Sequence, residues 1–152
     1  MIQQYRLITG LTWGLILVVS LTGCGTGGVH LSGLAPAKGV VRYNGSPVEG
    51  VSIMFVPDGT TTTEQRTSSA TTNASGQFTM MTLQTDDGVF PGQYKVVLTK
   101  LTAEYPLGQR ELGERPTFKD HLPKKYAKAE TTPFSLSIDK KGNTAIAFDL
   151  TD

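Results

Sequence analysis

The chain has 152 residues, with 14 Lys+Arg against 13 Asp+Glu, two histidines and one cysteine. Near-neutral charge without a basic stripe argues against a nucleic-acid binder. A lone cysteine rules out any disulfide within the chain, and two scattered histidines leave zinc without a ligand set.

Met1 to Arg6 is short and polar, and Arg6 is the only charged side chain in residues 1–23. Leu7 to Leu21 follows as an apolar run closed by small residues, the plan of a secretory signal peptide. About 15 residues at ~1.5 Å rise make ~22 Å of helix, short of the ~30 Å hydrocarbon core. Leu21-Thr22-Gly23-Cys24 resembles a bacterial lipobox. That resemblance implies cleavage between Gly23 and Cys24, a thioether from Cys24 to diacylglycerol, and acylation of the new α-amine. Residues 1–23 are then a lipoprotein signal peptide, and loss of Arg6 leaves the two signs of charge equal. The expected location is the bacterial cell envelope, membrane-anchored at the periplasmic face or the outer membrane. An uncleaved signal anchor is the alternative.

Residues 24–37, rich in Gly, Ser and Thr, read as a flexible tether with an r.m.s. reach of ~20 Å. From Lys38 onward the signals are β, and residues 38–152 fit one domain. Gly39 to Tyr43 is a short strand, and Asn44-Gly45-Ser46-Pro47 a turn. Val51, Ile53 and Phe55 alternate with Ser52 and Met54, the period of a half-buried strand. Asp58 to Thr67 is a polar, Thr-rich loop. Ser69–Thr72 and Gln77–Leu83, around Asn73 to Gly76, predict a second hairpin with Phe78 and Met80 on one face. Asp86-Asp87-Gly88 and Pro91-Gly92 break the chain before Tyr94, Val96 and Leu98 alternate again. Phe134, Leu136 and Ile138 then pair by expectation with Ile146, Phe148 and Leu150 across the Lys140–Asn143 turn. Seven or so strands separated by turns predict an antiparallel, all-β sandwich.

Leu101 to Pro133 breaks this rhythm. It holds four prolines and most of the basic charge, and reads as one long irregular loop of the kind that is often functional. It carries Tyr105, Arg110, Arg115, Lys119, His121, Lys124, Lys125 and Tyr126. Tyr and Arg are anchor residues of interfaces, and His121, Lys124, Lys125 and Tyr126 are the candidate partner-binding residues. The competing expectation has Tyr126 packed down over a sheet edge and the lysines in water.

Several motifs resemble a known family. Gly39-Val40-Val41 with Asn44 to Val51 resembles the opening of carboxypeptidase-regulatory-like, transthyretin-related domains. Thr71 to Phe78 is similar to that family's "T-[DN]-x-x-G-x-[FY]" hairpin, and Pro91-Gly92-Gln93-Tyr94 to its "P-G-x-Y" segment. Leu122 to Tyr126, Glu130 to Phe134, Lys141-Gly142-Asn143 and Phe148-Asp149-Leu150 resemble small lipoproteins abundant in planctomycete bacteria. The resemblance implies a β-sandwich without assigned activity and without zinc ligands.

No nucleophile elbow or oxyanion loop accompanies His121, Ser135 or Ser137, so a hydrolase is a distant expectation. Asp86-Asp87 could contribute oxygens to calcium, but a solvated turn explains them, and no cofactor or metal is expected. Asn44-Gly45-Ser46 and Asn73-Ala74-Ser75 match glycosylation sequons and read as turns. The expected function is a non-enzymatic, lipid-anchored module that binds an envelope protein or glycan. The alternative is a purely structural spacer or assembly component, and nucleic acid is not an expected partner.

Overall fold

The computed structural model describes residues 31–59, 65–105 and 115–152. The signal peptide, the Gly23–Cys24 junction and Arg110 lie outside these.

β1 (Ala37–Tyr43) runs into Asn44 and Gly45, whose φ angles are 49° and 82°. That is the mirror-image turn an Asn-Gly pair favours, and it returns the chain as β2 (Ser46–Pro47) against Arg42 and Tyr43. β3 (Ser52–Pro57) buries Ile53 and Phe55 and exposes Ser52 and Met54. The order continues with β4 (Ser68–Thr71), β5 (Gln77–Thr79), β6 (Gly92–Thr99), β7 (Leu101–Glu104) and β8 (Thr117–Asp120). A 3₁₀ turn at Lys124–Tyr126 leads to β9 (Ser135–Ile138) and β10 (Asn143–Leu150). The domain is all-β, with ten strands among the described residues. No helix there is long and apolar enough to cross a membrane.

Two four-stranded sheets share one core. In the first, β10 and β1 are neighbours, and β2 and β5 line the other edge of β1; the second has the order β4-β3-β6-β9. Two connections differ from the hairpin expectations. β4 pairs with β3 and β5 with β1, so the Asn73–Gly76 turn carries the chain from one sheet to the other. One rung of the expected hairpin survives, because Ser69 and Met81 exchange backbone hydrogen bonds of 2.8 and 2.9 Å. β9 pairs with β6, whereas β10 crosses back to lie parallel to β1. A parallel pair needs a long connection; here nearly the whole domain supplies it.

Glycine matters at two of these joints. At Gly76 φ is 71° and an added Cβ would lie 2.5 Å from the Val41 carbonyl oxygen, so both conformation and space demand glycine. At Gly39 a Cβ would fall 2.1 Å from the Ile146 oxygen, where a register shift draws β1 and β10 together.

Phe148 ties the sheets together. Its ring lies 6.3 Å edge-on from Phe55, 5.8 Å from Phe78 and 5.2 Å from Phe134. Tyr94 is fully buried beside Phe55, and its hydroxyl donates to the Phe90 carbonyl at 2.6 Å, a buried tyrosine with its polar end satisfied. Burial pushes the Tyr94 hydroxyl pKa up. The core also starts earlier than expected. Ala35 and Ala37 are 1% and 0% exposed, and Ala35 bridges to Val89, so the last residues assigned to the tether belong to the domain.

Candidate interaction site

The segment expected to be one irregular loop divides in two. Its first part is an antiparallel ribbon, β7 against β8, growing out of the end of β6. The root is locked by the backbone. The Lys100 N–H donates to Asp120 Oδ1 at 2.9 Å, the Leu122 N–H donates to the same oxygen at 3.0 Å, and the His121 N–H donates to the Lys100 carbonyl at 2.9 Å.

Beyond the root the ribbon has two unlike faces. Ala103 lies opposite Phe118 and Leu101 opposite Asp120, while Thr102 lies opposite Lys119 and Glu104 opposite Thr117. Side chains alternate across a strand, so Leu101, Ala103 and Phe118 share one face, with Tyr105 next in the alternation. The other carries Thr102, Glu104, Thr117 and Lys119. His121 Nε2 lies 2.9 Å from Thr102 Oγ1 on that polar face. Lys119 and Glu104 approach to 3.9 Å, an exposed pair of little energetic weight. Leu101, Tyr105 and Phe118 are 56%, 52% and 66% exposed. Asp120 is turned into the root, which leaves the apolar face without a free charge among the described residues.

The four residues singled out from the sequence do not form one surface. His121 sits at the ribbon root. Tyr126 is 3% exposed and stacks on Phe134 at 5.5 Å, so its ring is a core element and not a surface anchor. Its hydroxyl donates to the Thr151 carbonyl and accepts the Thr151 N–H, both at 3.0 Å. Lys124 is exposed. Lys125 Nζ lies 5.1 Å from the centre of the Tyr126 ring and donates to the Asp152 carbonyl at 2.8 Å. Asp152 also accepts from Tyr43 and Asn44. The Tyr43 hydrogen bond, more than that from Asn44, holds the Asp152 carboxyl below its usual pKa, and the same bond raises the Tyr43 hydroxyl. Leu101, Ala103 and Phe118 were missed, although Leu101, Ala103 and Tyr105 show the two-residue period of a strand.

Two other places gather polar groups. Burial alone would raise the Asp87 carboxyl, but the N–H groups of Thr82, Gln84 and Leu83 outweigh it and hold the pKa low. These bonds, at 2.6, 2.8 and 2.9 Å, occupy both oxygens in a structural turn. No group of three His, Cys, Asp or Glu gathers among the described residues. An open concavity of about 660 Å³ lies on the outer face of the first sheet, between Lys38, Arg42, Gln77, Ala145 and Ala147. Its lining holds two cations and several hydroxyls but neither a histidine nor a carboxylate, so it offers no general acid–base pair.

No protein-family model, curated protein or solved structure matches this chain.

Proposed function

We propose that this chain is a non-enzymatic, lipid-anchored β-sandwich of the bacterial cell envelope, and that it holds a partner on the apolar face of the β7–β8 ribbon. The lipobox-like Leu21-Thr22-Gly23-Cys24 and the carboxypeptidase-regulatory-like motifs support the anchor and the envelope setting. The observation that carries the binding role is an ordered ribbon, hydrogen-bonded into the core, that leaves Leu101, Tyr105 and Phe118 more than half exposed. A two-stranded ribbon has little stability of its own, and a contiguous apolar surface marks an interaction site. The chemistry favours a protein. Among the described residues this face of Leu, Ala, Phe and Tyr offers one side-chain hydroxyl, that of Tyr105, where a glycan needs several hydrogen-bonding groups. The 3₁₀ turn, by contrast, is spent on packing, which is the structural expectation for that half of the segment.

The test is in-cell photo-crosslinking from position 118, followed by mass spectrometry, beside a Leu101→Ser, Phe118→Ser double variant. A defined envelope protein captured by the wild type and lost in the variant is the expected result. A glycan adduct would replace the protein partner, and no adduct from a folded protein would remove the binding role. Separately, Cys24→Ser should abolish metabolic lipid labelling and membrane retention; retention without label would establish a signal anchor.

A further inference from the structure

We infer that the outer edge of β10 is a self-complementary strand-pairing site, through which two copies of the domain join β10 to β10 in antiparallel order.

The direction of each peptide group on β10 follows from the sheet. The Leu150 carbonyl accepts the Asn44 N–H at 2.9 Å, on the β1 side. In a parallel ladder alternate residues bond the same neighbour, so Ile146 and Phe148 also turn their peptide groups to β1. Ala145, Ala147, Asp149 and Thr151 therefore turn theirs away from it.

The free edge is stopped at both ends. At Thr151 the N–H and the carbonyl are both taken by the Tyr126 hydroxyl, at 3.0 Å each. At the start, Asn143 Oδ1 accepts the Ala145 N–H at 3.0 Å. Between these stops no described residue bonds the outward N–H or carbonyl of Ala147 and Asp149. Other edges differ. β4 is closed by its exchange with Met81, and β9 is only four residues long. β10 has eight residues and contains neither lysine nor proline, two devices by which edge strands repel a neighbour, and its one charged side chain, Asp149, lies 3.5 Å from Arg42 of its own sheet.

The occupant that fits is a second copy of the same strand. Antiparallel pairing about a two-fold axis at Ala147 sets Ala147 opposite its counterpart, so that each donates to and accepts from the other. Asp149 then lies opposite the partner's Ala145, whose carbonyl is open to the Asp149 N–H. This register places no like charges opposite one another. It also brings the basic start of the strand, Lys140-Lys141, beside the acidic Asp152 end of the other copy. Ala145 and Ala147 are small and exposed, so no bulky side chain obstructs the approach. The ladder stays short, because Tyr126 and Asn143 terminate it symmetrically, and the product is a closed dimer and not a filament.

The test uses residues 31–152, which form a compact unit and contain all the core residues described above. Sedimentation velocity across a concentration series should show a monomer–dimer equilibrium. Ala147→Pro removes only an outward donor from an edge position that tolerates proline. It should raise the dimer dissociation constant at least about tenfold, the scale of two lost hydrogen bonds. Two cysteine variants fix the register in a domain that otherwise has no thiol. Directly opposed residues lie about 5.5 Å apart at Cα, within disulfide range. Ala147→Cys should therefore give a covalent dimer under diamide, and Ala145→Cys should not. Because both cysteines are at exposed positions, they keep the test decisive even if the proline variant fails to fold. A domain monomeric up to millimolar concentration, a dimer that crosslinks through position 145 and not 147, or a dimer untouched by Ala147→Pro would each overturn the inference.

Discussion

The two halves of the stretch from Leu101 to Phe134 both mix prolines, charges and aromatic rings, and have opposite fates. The first half, the β7–β8 ribbon, turns Leu101 and Phe118 outward; the second, from His121 to Phe134, turns Leu122 and Tyr126 inward. Backbone position explains the difference. The ribbon extends β6 past the end of its neighbours, so only its root meets the sandwich. The return half lies back along β6, where Thr132 Oγ1 donates to the Val96 carbonyl at 2.6 Å and Val96 N–H to the Phe134 carbonyl at 3.0 Å. An aromatic residue in a proline-rich stretch thus says little about its role until it is known which strand the backbone follows.

The largest test of this contrast is one substitution made in each half. Phe134→Ala removes a ring that contacts both Tyr126 and Phe148 and should destabilise the domain by about 3 kcal/mol. Phe118→Ala, at 66% exposure, should change stability by less than ~0.5 kcal/mol. Urea denaturation monitored by circular dichroism compares the two directly. Equal costs would mean that the ribbon packs against the domain and offers no free face.

A smaller effect is expected at the hydroxyls. Tyr126→Phe keeps the stacked ring but leaves the Thr151 N–H and carbonyl to water, at a cost of about 1 kcal/mol. Tyr105→Phe on the ribbon should be neutral to within ~0.5 kcal/mol. Hydrogen exchange sharpens the comparison, since the Thr151 amide should lose protection only in the Tyr126 variant. An unchanged amide would mean that the hydroxyl does not stop the β10 edge.

What could be read from the sequence divides along similar lines. Strands with strict alternation were legible: Val51, Ile53 and Phe55, then Tyr94, Val96 and Leu98, then Ile146, Phe148 and Leu150 all face the core as expected. The Asn44-Gly45 turn and the need for glycine at position 76 were also legible, because both are local. Partner choice was not. Ser69–Thr72 and Gln77–Leu83 read as a hairpin, yet β4 lies beside β3 and β5 beside β1, in different sheets. The parallel β1–β10 closure spans the domain and has no local sequence signal. At the candidate site, prolines and charges masked the alternation of Leu101, Ala103 and Tyr105. That the Tyr126 ring would pack down was one of the two expectations, whereas the use of its hydroxyl on Thr151 had no local signal.

The smallest expected effect concerns the ends of the pH range, where titrating groups hold the chain beyond β10, to which Lys125 of the return half bonds. The Tyr43 hydroxyl donates to the Asp152 carboxylate, which also accepts from Asn44 and lies near Lys125. The Asp152 pKa is lowered by folding, so its contribution is complete above the ordinary carboxylate range near 3.9 and disappears as pH falls through the lower folded value. The Tyr43 pKa is raised, chiefly by the same bond. Its contribution is complete below about 10 and disappears as pH rises through the higher folded value. The pair should therefore support the C-terminal strand on a plateau between these limits and weaken at both ends. Asp152→Asn and Tyr43→Phe should each flatten the denaturation midpoint against pH, the first most visibly on the acid side and the second on the alkaline side. Both groups are solvent-exposed and screened, so the change should be slight and should shrink further in salt. If both variants followed the wild-type profile throughout, the bond would not contribute in solution. The chain beyond β10 would then be held through Lys125 and the Tyr126 hydroxyl.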